Sequence, residues 1–234
     1  MCDTIGPVKA RRAAQTEGIS PLAVLGAVVL VVLLIAGGWA AWQFWGANLV
    51  AADDAAESVV SLRDGWSASP AVPDPDADPE APPAVSQPAM GEPAWVLRIP
   101  RLNLEWPIVA GVDEADLRNG VGWYPSTALP GQAGNFALAG RRTTEGAPFR
   151  DLLTLGEGDE VIVETRAAVF TYTITAAPAA LTVARSESWV LDPVPGHTDV
   201  VPTRALITLT TEEDLAPSDD ISVGFGTLTM TETK

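Results

Sequence analysis

Two short stretches carry the side chains with which any chemistry would have to begin: Arg141-Arg142-Thr143-Thr144 and Thr210-Thr211-Glu212-Glu213-Asp214. A guanidinium stays protonated at any relevant pH, so Arg141 and Arg142 can hold anions but cannot act as bases. Glu212 could attack a carbonyl as a carboxylate, but the resulting anhydride would need an acid for an amine leaving group, and none is evident. Thr210 and Thr211 offer hydroxyls without an adjacent base. The chain has one cysteine, Cys2, and one histidine, His197. A disulfide within the chain, a thiolate metal cluster and a two-histidine metal site are therefore all excluded. Cys2 lacks the preceding apolar stretch of a lipoprotein signal. His197, fifteen residues before Glu212, reads as a solvated loop residue. Glu212, Glu213 and Asp214 read as an acidic strand end, with a shared calcium or magnesium site including Asp219 and Asp220 as the alternative.

Most of what must position these residues is β-structure. From Ala94 onward, short apolar runs are punctuated by glycine, proline and asparagine. Strands are expected at Trp95–Ile99, Trp106–Val109, Asn135–Ala139, Glu160–Thr165, Val169–Ala176, Ala205–Thr211 and Ser222–Thr229. Phe170-Thr-Tyr-Thr-Ile174 alternates in the period of a strand with one wet face. One or two helical turns fit Asp113–Asn119 and again Ala147–Leu153. So many short strands in one domain predict a mainly β fold, a barrel or a sandwich, and periodicity alone does not choose between them.

The N-terminal part differs in kind. No charged residue occurs from Gly18 to Ala52, and Leu22–Ala41 is a twenty-residue apolar run, the length that crosses a ~30 Å hydrocarbon core as a helix. Trp39, Trp42, Phe44 and Trp45 gather at its end as an interfacial belt would. Lys9, Arg11 and Arg12 precede the run, and Asp53, Asp54 and Glu57 follow it. The basic flank predicts a cytoplasmic N-terminus, and everything after about residue 46 outside the cell. A cleaved signal peptide is the alternative, but the run is too long and its exit too bulky for one. Residues 46–93 carry nine acids against Arg63 alone and become rich in proline after Trp66, the composition of an extended tether. Residues 47–64 could instead continue the membrane helix. The expected organisation is a cytoplasmic segment 1–18, a transmembrane helix 19–45, a linker 46–93 and a folded domain 94–234. A net charge of −16 excludes nucleic acid as a partner.

Longer motifs choose among the β architectures. Ala139-Gly-Arg-Arg-Thr-Thr-Glu-Gly-Ala-Pro-Phe149 resembles A-G-H-R-T-T-x-G-A-P-F of the sortases, the cysteine transpeptidases of Gram-positive cell envelopes. Leu206-Ile-Thr-Leu-Thr-Thr-Glu212 resembles the family's L-x-T-L-T-T-C. Gly120-Val-Gly-Trp-Tyr-Pro-Ser-Thr-Ala-Leu-Pro-Gly131 resembles G-V-G-H-Y-P-x-T-A-L-P-G. Val96–Asn103, Gly134–Arg141, Gly158-Asp159 and Trp189–Pro193 follow in family order. Residues 94–234 thus resemble a sortase domain, closest to the class E type of actinobacteria, which implies an eight-stranded β-barrel with short helices.

By the same resemblance the catalytic histidine, cysteine and arginine positions are occupied by Arg141, Glu212 and Ile221. In the family a thiolate attacks the sorting-signal carbonyl, a histidine moves the proton and an arginine steadies the oxyanion. The resemblance therefore implies a membrane-anchored, extracellular domain without transpeptidase activity, acting as a binding or accessory module. Its cleft would include Arg141, Arg142, Thr211 and Glu212, and its partner would be an extended peptide or an envelope protein. No cofactor is implied. Two alternatives remain: transpeptidation or hydrolysis by a cysteine-independent route, and a structural surface protein without a ligand. In the family the cysteine and histidine positions face each other, so Arg141 and Glu212 are expected to form an ion pair that closes the cleft.

Overall fold

The alternating runs close into a barrel in the computed structural model, which describes residues 21–42, 47–71, 81–214 and 219–234. The chain divides into two units, Met1–Gln43 and Phe44–Lys234. The second contains helix α2 (Ala47–Ala68), strands β1 (Pro93–Ile99) and β2 (Leu104–Ala110), the short helix α3 (Glu114–Leu117), β3 (Val121–Trp123) and β4 (Gly134–Ala139). It continues through β5 (Glu160–Glu164), β6 (Ala168–Ala176), β7 (Thr182–Ala184), β8 (Ala205–Glu212) and β9 (Asp220–Thr233). Hydrogen bonding runs in the order β6-β5-β1-β2-β3-β4-β8-β9, and β9 returns to β6, so eight strands form a closed ring with β7 added to the side of β9.

Closure depends on the length of β9. Its first half pairs with β8 (Ile221 opposite Glu212, Thr227 opposite Leu206), and its second half pairs with β6 (Thr233 opposite Ala168). No ring strand is left as an open edge, which satisfies the backbone polar groups without a partner chain. Leu97, Ile108, Trp123, Phe136, Leu138, Phe170, Tyr172, Ile207 and Leu209 fill the interior. Trp95 meets Trp123 and Phe136 edge-on, with ring centroids 5.3 and 5.7 Å apart. The Tyr172 hydroxyl, buried in this core, accepts the Gly131 N–H at 2.8 Å, and burial pushes its pKa upward.

Residues 46–93, expected as a linker, open instead with α2. Asn48, Ala52, Ala55, Val59, Leu62 and Trp66 share one helical stripe, while Asp53, Asp54, Glu57 and Asp64 fall on the exposed faces. Val59, Leu62 and Trp66 cover Val96, the outward-facing neighbour of Leu97 on β1. The acidity of this segment is thus the solvent face of a docked helix, and the folded unit begins well before Ala94. A second tie is ionic. Arg63 donates to both oxygens of Glu105 at 2.9 and 3.0 Å and to Glu164 at 2.7 and 3.1 Å. Lys234 donates to the other Glu164 oxygen at 2.8 Å and lies 4.5 Å above the Trp66 ring. The later part of the expected linker is also held: Val85 packs on the core, and the Gly91 N–H donates to Ala110 at 2.8 Å.

The first unit contributes α1 (Pro21–Ala41), 21 residues without a charged side chain, about 31 Å long at ~1.5 Å per residue. Its leucines and valines are exposed. Set against that length, no helix, counted on the described residues, is long and apolar enough to cross a membrane. The transmembrane helix expected over residues 19–45 is thus not shown among the described residues, and that expectation rests on the uncharged run of the sequence alone.

Two predictions follow from the docking of α2. Val59→Ala should lower unfolding free energy by about 1–2 kcal/mol in chemical denaturation, because Val59 is fully packed and two methyl groups are lost. Burial alone would raise the Glu164 pKa, but hydrogen bonds and charge from Arg63 and Lys234 outweigh it, and the carboxyl sits below its ordinary value. A carboxylate with a lowered folded pKa stabilises above its unfolded value, and that contribution is lost as pH falls through the folded one. Stability should therefore decline as pH drops below the ordinary carboxylate range, and Glu164→Gln should flatten that part of the pH profile.

Candidate functional site

Parallel pairing of β4 with β8 builds the site. Ala139 lies opposite Thr210 in this register, so Arg141 and Glu212, each two residues further on, emerge side by side from the same ends of neighbouring strands. Gly140 N–H donates to Thr210 at 3.1 Å, and the Thr211 hydroxyl donates to Gly140 at 2.9 Å, stitching the strands up to that point. Gly140 must be glycine, because a Cβ there would lie 2.4 Å from the Phe149 ring. Phe149 is fully buried, and its N–H returns to the Arg141 carbonyl at 3.0 Å. Residues 141–149 thus form a loop closed at its base.

The expected ion pair is present. Arg141 Nη1 donates to Glu212 Oε1 at 3.1 Å, with the two side chains 27% and 18% exposed. The Arg142 backbone N–H donates to Glu212 Oε2 at 2.8 Å, and the Thr211 hydroxyl lies 3.4 Å from the same oxygen. Both carboxylate oxygens are therefore occupied, one by a charged donor. The Arg142 guanidinium donates to the Glu213 carbonyl, and Glu213 in turn accepts the Ser222 hydroxyl. Charge-assisted bonds from two successive residues of one strand end hold the other strand end in place.

The pair forms a wall of a cleft and does not fill it. A space of about 320 Å³ remains, lined by Tyr124, Arg141, Arg185, Leu191, Glu212 and Ile221 among others. The expectation that the pair closes the cleft is corrected on this point. Ile221 stands opposite Glu212 on β9 and packs with Val190 and Val223, so its neighbourhood is apolar. Arg185 was not anticipated. It follows β7, whose Ala184 pairs with Asp220, and its N–H donates to Asp219 at 2.6 Å. A search for a cationic group downstream of Glu212 along the chain misses one that arrives upstream on an added strand three residues long, too short to show periodicity.

The other candidates lie elsewhere. His197 is exposed in the loop before β8 and does not line the cleft. Among the described residues no cluster of histidine, cysteine, aspartate or glutamate is arranged to hold a metal ion. The calcium or magnesium alternative at Glu212–Asp214 with Asp219 and Asp220 thus gains no support. Cys2 lies outside the described residues.

A closed eight-stranded barrel with its cleft at the ends of a parallel strand pair is the architecture of the sortases. Residues 97–217 match the sortase domain family, and the chain belongs to that family. Sortase SrtE1 of Streptomyces coelicolor is 34% identical over 177 residues, covering 73% of this chain and 46% of that protein. The structure of sortase E from Streptomyces avermitilis superposes with a TM-score of 0.56 at 34% identity, covering 62% of this chain and 93% of that one. Sortase E1 from S. coelicolor, solved with a tripeptide in its active site, gives a TM-score of 0.55 at 32% identity, covering 62% and 94%. The likeness is to class E. The chain spans less than half the length of the curated relatives it matches.

Removing one partner of the pair leaves a half-buried charge with fewer donors. Arg141→Met should lower unfolding free energy by about 1–3 kcal/mol, and Arg141→Lys should recover only part of it, since a lysine replaces a planar fork with a point charge. Denaturation curves for the two variants check this; equal stability of Arg141→Met and the parent would remove the pair's structural role.

Proposed function

We propose that this chain is a membrane-anchored, extracytoplasmic member of the sortase family whose cleft binds an extended peptide without transferring it. The observation that carries this reading is the state of Glu212. It stands where the family resemblance expects a nucleophilic thiolate, and both of its oxygens are engaged by Arg141 and Arg142. A carboxylate held this way is a poor nucleophile, and its guanidinium partner cannot take or give a proton during the reaction. The only histidine lies away from the cleft, and the only cysteine is at the extreme N-terminus.

Peptide binding asks for none of the missing chemistry. A groove beside strand ends can hold an extended segment through backbone hydrogen bonds and side-chain pockets. The tripeptide bound in the S. coelicolor neighbour's active site shows that a cleft of this family accommodates one. The anchor is read from the uncharged run around α1 and the basic residues that precede it. On this reading the N-terminus is cytoplasmic and the barrel extracytoplasmic.

The test incubates the detergent-solubilised full chain with extended sorting-type peptides and an amine acceptor, following products by mass spectrometry and binding by fluorescence anisotropy. Saturable binding without cleaved or transferred product is expected. Product that disappears in Glu212→Ala would overturn the reading in favour of catalysis by the carboxylate, and absence of both binding and turnover would favour a purely structural role. Arg141→His combined with Glu212→Cys puts a thiol and an imidazole back at the strand ends. Covalent capture of peptide by that double variant is expected, because the cleft and Arg185 remain, whereas Ile221→Arg should destabilise the barrel by burying a charge among apolar side chains.

A further inference from the structure

The loop that follows Arg141 is held from outside the barrel. Glu145, Gly146 and Ala147 have φ values of 52°, 75° and 50°, a left-handed run that residues with side chains adopt only when their surroundings impose it. Gly146 sits on Trp106; a Cβ there would lie 2.3 Å from that ring and 3.4 Å from Ala51 of α2. Asn48, in the first turn of α2, grips the loop with both ends of its amide. Its Nδ2 donates to the Thr143 carbonyl at 3.1 Å, and its Oδ1 accepts the Gly146 N–H at 2.9 Å. Those two groups lie on either side of the turn, whose own bond runs from Ala147 N–H to Thr144 at 2.8 Å. Beside this contact is an open groove of about 450 Å³ lined by Leu49, Leu104, Trp106 and Pro148. The polar clamp, more than close apolar packing, makes the tie on that side.

We propose that α2 is a strut for the cleft and that Asn48 is a positioning residue that acts through the 141–149 loop on the Arg141–Glu212 pair. The path is short and continuous. Asn48 fixes Thr143 and Gly146; the loop between them is anchored at its base by Phe149 N–H on the Arg141 carbonyl; and the Arg142 N–H, next to that base, donates to Glu212. The far end of α2 cannot drift, because Val59 and Trp66 are buried on β1 and Arg63 is held by two carboxylates. Asn48 lies on the same helical stripe as those buried residues, so docking the helix delivers the amide to the loop. The stripe and the clamp are one device: where α2 is seated, the loop is held in its left-handed turn and the strand ends are aligned. This assignment holds whether or not the cleft binds peptide, since it concerns the geometry of the cleft alone.

Amide hydrogen exchange on the full chain tests it, with the Asn48→Ala and Asn48→Asp variants. The Gly146 amide reports the clamp, the Arg142 amide reports the ion-pair end, and the Ile174 amide, bonded to the Asp159 carbonyl at 2.9 Å on the far strands, reports global opening. Asn48→Ala is expected to speed exchange at both Gly146 and Arg142 by about tenfold or more, while Ile174, as the reporter of global opening, rises by no more than the overall loss of stability. Asn48→Asp keeps the acceptor for Gly146 but loses the donor to Thr143, and should fall between. Faster exchange at Gly146 with Arg142 unchanged would overturn the proposal, since the clamp would then be local. No acceleration at Gly146 or Arg142 would overturn it as well.

Discussion

The register between two parallel strands is the constraint from which the site follows. Because Ala139 lies opposite Thr210, residues at equal offsets along β4 and β8 are neighbours, and the first side chains beyond the stitched backbone are Arg141 and Glu212. Parallel strands leave their carboxyl ends together at one rim of the barrel, where irregular backbone can line a cleft. A one-residue slip would turn each side chain to the opposite face and separate the pair. Gly140 and Phe149 guard against that slip from below, one by its missing Cβ and the other by filling the space.

What the pair contributes is geometry more than net stability. A half-buried arginine–carboxylate contact costs desolvation on both sides, and the Coulombic gain roughly returns that cost. Its effect is to fix which atoms of Glu212 face which donors. With Arg141 on one oxygen and the Arg142 amide on the other, the carboxylate is a strut between strand ends. The cleft survives beside it, so loss of reactive groups and loss of a binding surface are separate matters in this fold. The ionic knot of Arg63, Glu105, Glu164 and Lys234 plays the corresponding part at the other end of α2.

Much of this was legible in the sequence for physical reasons. Strands β1, β4, β5, β6 and β8 carry alternating or continuously apolar runs and were located to within a residue or two. β3 and β7, three residues each, are too short to show a period and were missed. Family-spaced motifs selected a barrel over a sandwich and placed Arg141 against Glu212. The docked helix α2 was obscured by its own composition: its stripe begins with Asn48 and two alanines before Val59, Leu62 and Trp66, and its acids suggested a solvated tether. Arg185 and Asn48 were invisible because each reaches the site by tertiary contact, one from an added strand and one from a helix nearly a hundred residues upstream of the loop it holds.

The central claim is that Arg141 and Glu212 act as one tied unit at the head of the parallel pair. A double-mutant cycle on unfolding free energy, using Arg141→Met and Glu212→Gln singly and together, measures that directly. The account predicts a coupling of about 1–3 kcal/mol, with the double variant more stable than the sum of the two single losses implies. A coupling indistinguishable from zero would contradict it, leaving two side chains that lie near each other without holding the strand ends together.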